Sequence, residues 1–64
     1  MSEFERGIFY AAYLICEIHD NPTIAADVIR EANLGSADIS ELDDCEKDVL
    51  VELNKTEHLN LKVK

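Results

Sequence analysis

Apolar and polar residues along the first third of the chain follow the period of an α-helix. Ser2 and Glu5 form a capping-box pattern, in which each side chain satisfies a backbone N–H at a helix start. Pro22 disfavours helical geometry at the residue before it, so the helix should end near residue 20. The pattern therefore predicts a first helix over about residues 3–20.

A second helix is predicted immediately afterwards. Asn21 is a good N-cap, and proline is well tolerated at the first helical position because that residue needs no N–H partner. The apolar spacing continues to about residue 33, which predicts a helix over residues 22–33. Gly35 follows as the expected left-handed stop.

The last part of the chain predicts a third helix over about residues 41–55, with Ser40 as the preferred cap and Ser36 as the alternative start. The remaining tail, residues 56–64, ends in a strand-like alternation but is short and terminal. We expect the tail to be frayed or loosely docked.

Together these elements predict an all-α fold in a single domain, residues 1–64: a small three-helix unit of two long helices and one shorter one. We expect homodimerisation through helix 1 to complete it. A chain of 64 residues buries only about 60% of the surface that its unfolded form exposes, and such small cores often need additional support. Cys16 and Cys45 offer at most one disulfide, and we expect both to be reduced packing residues.

Helix 1 has more apolar residues than one buried face needs, because residues 8–16 are all uncharged and hold three of the four aromatics. A helical wheel assigns one narrow stripe to the core: Phe4, Ile8, Ala11, Ile15 and Ile18. The surplus residues are the predicted interface with a second copy, or with a heterologous partner: Phe9, Tyr10, Ala12, Tyr13, Leu14 and Cys16.

Charge limits the classes of partner, because 14 acidic residues against six basic ones give a net charge of −8. Such a chain repels phosphate and anionic lipid, so we expect no direct nucleic-acid or membrane binding. No apolar run is long enough to cross a bilayer, and we expect a cytoplasmic protein.

Acidic residues are concentrated in the second half of the chain. The predicted acidic surface consists of Asp38, Glu41, Asp43, Asp44 and Asp48. One interpretation is a nucleic-acid mimic that inhibits a host DNA- or RNA-binding protein. The other is that these carboxylates complement a helix dipole and keep the protein in solution.

Candidate chemistry is sparse. Residues 24–36 resemble the first helix and turn of a helix-turn-helix, but the recognition helix would be acidic. Cys16 and His19 have zinc-ligand spacing, whereas Cys45 and His58 lie too far apart to form the second pair. A chain this short is also not expected to build a substrate pocket of about 300 Å³. We expect no cofactor, no metal and no enzymatic activity.

Residues 2–14, Ser-Glu-Phe-Glu-Arg-Gly-Ile-Phe-Tyr-Ala-Ala-Tyr-Leu, together with the acidic second half, resemble small early proteins of lambdoid phages encoded between the exonuclease and excisionase genes. The resemblance implies a helical phage accessory protein acting in the bacterial host cytoplasm and modulating host or phage development. The resemblance identifies no site residues in this chain.

Overall fold

The computed structural model describes residues 1–63, and in that range the chain forms three α-helices and no strands. They are α1 (Glu3–His19), α2 (Pro22–Glu31) and α3 (Asp44–Glu57). The predicted all-α, three-helix class is confirmed. Among the helix pairs of this part of the chain, α1 packs most extensively against α2.

The starts of α1 and α2 follow from local chemistry. The Ser2 hydroxyl accepts from the Glu5 N–H at 3.1 Å, and the Glu5 carboxylate accepts from the Ser2 N–H at 2.8 Å, which confirms the capping box. These hydrogen bonds favour the carboxylate and lower the pKa of Glu5. The Asn21 side chain accepts from the Ile24 N–H at 3.2 Å, with Pro22 at the first helical position.

Two helix boundaries differ from the predicted ones. The second helix ends at Glu31 instead of residue 33, and the left-handed residue that follows it is Asn33, with φ 60°, instead of Gly35. The third helix begins at Asp44 instead of residue 41, because Asp43 is its cap and accepts from the Glu46 N–H at 2.9 Å.

The tail is docked against the connector between α2 and α3, so the expectation of a frayed or loosely docked tail is wrong for residues 56–62. The third helix itself continues to Glu57. Beyond it, the Ile39 N–H donates to the Lys62 carbonyl and the Lys62 N–H donates to the Ala37 carbonyl, both at 2.9 Å. The last residue of the predicted tail, Lys64, lies outside the described residues.

One side-chain amide fixes this tail to α3. The Asn54 side chain donates to the Leu61 carbonyl and accepts from the Leu61 N–H, both at 2.9 Å. Leu59 and Leu61 are consequently buried in the core. The core therefore includes three helices, the connector and the tail, and its buried members are Phe9, Ala12, Ala25, Ala26, Ile29, Leu34, Ile39, Leu42, Leu50, Leu53, Leu59 and Leu61.

The face of α1 that enters the core is not the predicted one. Phe9 and Ala12, which were assigned to the surplus face, have no exposed surface, whereas Phe4 and Ile18 are 66% and 67% exposed. The predicted core stripe is therefore wrong for Phe4, Ala11 and Ile18, whereas its other two members, Ile8 and Ile15, are half-buried and pack against the core. The physical reason is close packing: Ala12 shares the buried cluster with Ala25 and Ala26 of α2, and small side chains let two helices approach closely.

Candidate interaction surfaces

The side of α1 that faces away from Phe9 is apolar and open to solvent. At about 100° per residue, Ile18 lies about 180° around the helix from Phe9. Phe4, Gly7, Ala11 and Ile18 are exposed there. We call this surface the outer face, and it comprises these four residues and the half-buried Leu14, with Ile8 and Ile15, which also pack against the core, along its edge.

Gly7 and Ala11 make the middle of the outer face shallow. A Cβ added at Gly7 would meet no atom within 4 Å, so the helix surface is bare at this position. Phe4, Ala11 and Ile18 are seven residues apart, and Gly7 and Leu14 lie between them at coiled-coil spacing. This is the geometry of a helix seam without its second helix.

The six residues of the predicted interface are distributed over different environments. Phe9 and Ala12 are buried within the chain, so an interface through these two residues is inconsistent with the fold. Tyr10 is 52% exposed and its ring stacks on Tyr13, with the centroids 6.1 Å apart. Tyr13, Leu14 and Cys16 are half-buried.

Most of the predicted acidic surface makes contacts within the chain. Glu41 accepts from the N-terminal ammonium at 3.0 Å, and its other carboxylate oxygen lies 3.9 Å from the Arg6 guanidinium. Asp43 caps α3, and Asp44 forms an ion pair with Lys47 at 3.6 Å.

Asp38 accepts from the Ser40 N–H at 2.9 Å, which shapes the connector. Asp48 differs from the other predicted acids because it lines a groove.

This groove lies between the C-terminal end of α1, the start of α2 and one side of α3, and holds about 430 Å³. Its volume exceeds the roughly 300 Å³ of a substrate pocket, but the groove is open to solvent and not enclosed. We call it the acidic groove, and its lining residues are Cys16, Glu17, Asp20, Pro22, Asp48, Val49, Glu52, Leu53 and Thr56.

Carboxylates border the acidic groove from both sides, with Glu17 and Asp20 contributed by the α1 side and Asp48 and Glu52 by α3. None of these four forms an ion pair or side-chain hydrogen bond within residues 1–63. Burial raises the pKa of the Cys16 thiol, and the charges of Glu17 and Asp20 raise it further. The groove is thus apolar at its floor and negative at its rim.

The structure does not bring the candidate zinc ligands together. Cys16 and Cys45 are free thiols, and among the described residues no group of three His, Cys, Asp or Glu side chains could hold a metal ion. His58 instead ends α3 in a left-handed conformation. The helix-turn-helix comparison also fails on geometry, because residues 32–43 separate α2 from α3 where that motif has a turn of about 3–4 residues.

Sequence reasoning missed Phe4 and Ile18 as exposed residues and Val49 and Glu52 as groove residues. The seven-residue spacing of Phe4, Ala11 and Ile18 was visible in the sequence, but the same spacing is expected of a helix face that packs within the chain and of one that packs against another chain. In the part of the chain described, no helix is both long and apolar enough to cross a membrane. Comparison with protein-family models, curated proteins and solved structures gives no match for this chain.

Proposed function

We propose that this chain is a non-enzymatic interaction protein that forms a homodimer through the outer face of α1 and binds a host or phage protein. The resemblance of its first helix to small early proteins of lambdoid phages supports an accessory role in host or phage development in the bacterial cytoplasm. The observation that carries the proposal is the outer face itself: a helix side with two large apolar side chains about two-thirds exposed.

A second copy is the occupant that best fits this surface. Seven-residue apolar spacing matches a helix of the same kind, and the small Gly7 and Ala11 allow two helix backbones to approach closely. An antiparallel pair would set Phe4 of each copy towards Ile18 of the other. It would also oppose the two helix dipoles, which is favourable.

The apolar area of the outer face predicts a weak dimer. Fully burying a large apolar side chain is worth about 1.5–3 kcal/mol, so burying the exposed two-thirds of Phe4 and of Ile18 is worth about 1–2 kcal/mol each. Four such side chains in a dimer contribute about 4–8 kcal/mol, against an association cost of about 4–15 kcal/mol. Tyr10 and the half-buried residues of the outer face contribute the remainder. At the lower bound of that cost the four side chains leave about 4 kcal/mol, which corresponds to a dissociation constant of about 1 mM, and the additional burial lowers this value.

Charge gives the dimer a distinctive response to salt. Each copy has a net charge of −8, so two copies repel each other, and Glu3 lies beside the outer face at the start of α1. Added salt screens this repulsion. Dimerisation should therefore strengthen with ionic strength.

Sedimentation equilibrium at protein concentrations from about 10 µM to 1 mM tests the dimer. The variant Ile18→Ser should remain monomeric throughout. The matched control is Val63→Ser, which removes an exposed branched aliphatic residue outside α1 and should dimerise like the parent. A parent chain that stays monomeric at 1 mM, or equal loss in both variants, would refute the proposed dimer.

The other candidate function, a nucleic-acid mimic, has less support. Phosphate mimicry needs carboxylates on an open polar surface, whereas Glu41 and Asp44 are paired with cations of this chain, Asp43 caps a helix, and Asp48 borders the apolar floor of the acidic groove. Reversing the charge of Glu41 and Asp44, which lie outside the acidic groove, would abolish partner binding by a mimic, while binding through an apolar surface would persist.

A further inference from the structure

We infer that the acidic groove binds a basic amphipathic helix of a partner protein, with apolar side chains on its floor and Lys or Arg side chains against its two acidic edges. This inference rests on the proposed function, because it names the chemistry of the partner protein that the chain is proposed to bind. The groove and the outer face are separate surfaces, so they can be tested separately.

The length and floor of the groove fit a helix. Asp48 and Thr56 are eight residues apart on α3, which corresponds to about 12 Å, or about two helical turns. Val49 and Leu53 are spaced four apart and lie on one side of α3, with Cys16 and Pro22 completing the apolar lining. A partner helix with apolar residues at three- and four-residue spacing matches such a floor.

The rim determines the charge of the partner. Asp48 and Glu52 lie on one edge and Glu17 and Asp20 on the other, so a cation on either side of the partner's apolar stripe would meet a carboxylate. No Lys or Arg of the described chain lines the groove. Arg6, Arg30 and Lys47 each lie beside an acidic residue outside it. The groove therefore presents four carboxylates without an internal counter-charge.

A second copy of this chain does not meet that requirement. None of its helices has a basic face, since α1 contains only Arg6, α2 only Arg30, and α3 only Lys47 and Lys55 among Lys and Arg residues. Nucleic acid is excluded by the same four carboxylates. Charge complementarity thus selects a heterologous basic segment.

The test uses the full chain and three designed helical peptides of roughly twelve residues, about three turns. The first has Leu at three- and four-residue spacing flanked by Arg, the second replaces Arg by Glu, and the third replaces Leu by Ser. Binding is measured by isothermal titration at low salt. The inference requires binding of the Arg–Leu peptide, with weaker binding of the Ser peptide and none of the Glu peptide.

Variants localise the binding to the groove. Asp48→Asn with Glu52→Gln removes two rim charges and keeps the side-chain shapes, while Glu3→Gln with Glu31→Gln removes two exposed charges elsewhere. Each exposed ion pair changes affinity by about 1.5- to 5-fold, so the groove variant should bind about 2- to 30-fold more weakly. The control should change less. Equal weakening in both would indicate attraction to the net charge and overturn the inference.

Cysteine alkylation gives an independent readout. Because Cys16 lines the groove and Cys45 is exposed outside it, the bound Arg–Leu peptide should slow alkylation of Cys16 and leave Cys45 unaffected. Binding without protection of Cys16 would place the peptide elsewhere and overturn the inference. The monomeric variant Ile18→Ser should bind the peptide like the parent, so failure of the dimer and failure of the groove are distinguishable.

Discussion

Replacing Phe9 by alanine should cost far more stability than replacing Phe4 by alanine, although both residues are phenylalanines of the same helix. Phe9 is completely buried, so its truncation leaves a cavity and should cost about 3–5 kcal/mol. Phe4 is 66% exposed, so its truncation removes only the buried third of the side-chain surface, which is worth about 0.5–1 kcal/mol. The better helix propensity of alanine offsets part of that loss.

These magnitudes are large relative to the total stability. A chain of 64 residues should have a free energy of unfolding of about 3–10 kcal/mol. In a domain of this size, 1 kcal/mol corresponds to about 4–8 °C in Tm, so the Phe9 variant should lose about 12–40 °C and the Phe4 variant less than about 8 °C. Phe9→Leu leaves a smaller cavity and provides a measurable loss if Phe9→Ala does not fold.

The assay is thermal and urea unfolding followed by circular dichroism at low micromolar concentration. Low concentration matters because a dimer would add stability that depends on mass action and would make Phe4 appear more important than it is in the monomer. Equal losses for the two alanine variants, or a larger loss at Phe4, would show that the assignment of the buried face of α1 is wrong.

Three further changes address other parts of the chain. Gly7→Ala should raise the free energy of unfolding by about 0.5–1 kcal/mol, because Gly7 lies inside α1 and an added Cβ meets nothing within 4 Å; no gain in urea unfolding would contradict this. Asn54→Ala should cost about 1–3 kcal/mol and increase amide exchange at Leu61, whereas Asn60→Ala, an exposed control, should leave both unchanged. Glu46→Gln should stabilise the protein at pH 7 and have little effect at pH 3. Burial and the charge of Asp43 raise the pKa of Glu46 above 4.5 in the folded protein. Protonated Glu46 therefore stabilises the fold fully at a pH below the pKa of the unfolded chain, and this stabilisation is lost as the pH rises through the higher pKa of the folded protein. Urea unfolding across this pH range measures the difference, and a pH-independent effect would contradict the assignment.

Helix starts were predictable because their chemistry is local. Ser2 with Glu5, and Asn21 with Pro22, satisfy backbone donors within a few residues, and the structure contains both arrangements. The start of α3 was misplaced because Ser40 and Asp43 are both acceptable caps. In the structure Ser40 belongs to a turn of the connector, where its N–H donates to Asp38, and Asp43 is the residue that caps the helix.

Long-range pairings were not predictable from the local pattern. The strand-like alternation of the tail is visible in the sequence, but its pairing with residues 37–39 depends on where α3 ends and on the Asn54 side chain. The acidic groove was missed for the same reason. Glu17 and Glu52 are distant in sequence and border one groove only after α1 and α3 have packed.

The inverted assignment of α1 follows from its composition, and it bears on function. Because apolar residues surround most of this helix, its period could not distinguish the inside from the outside. The fold places the small Ala12 inside, against a cluster with Ala25 and Ala26, and leaves the much larger Phe4 and Ile18 outside. Phe9 is the large side chain that α1 buries in the core, whereas the large Phe4 and Ile18 stay about two-thirds exposed and could be buried only by a second surface, which is the burial on which the proposed dimer depends.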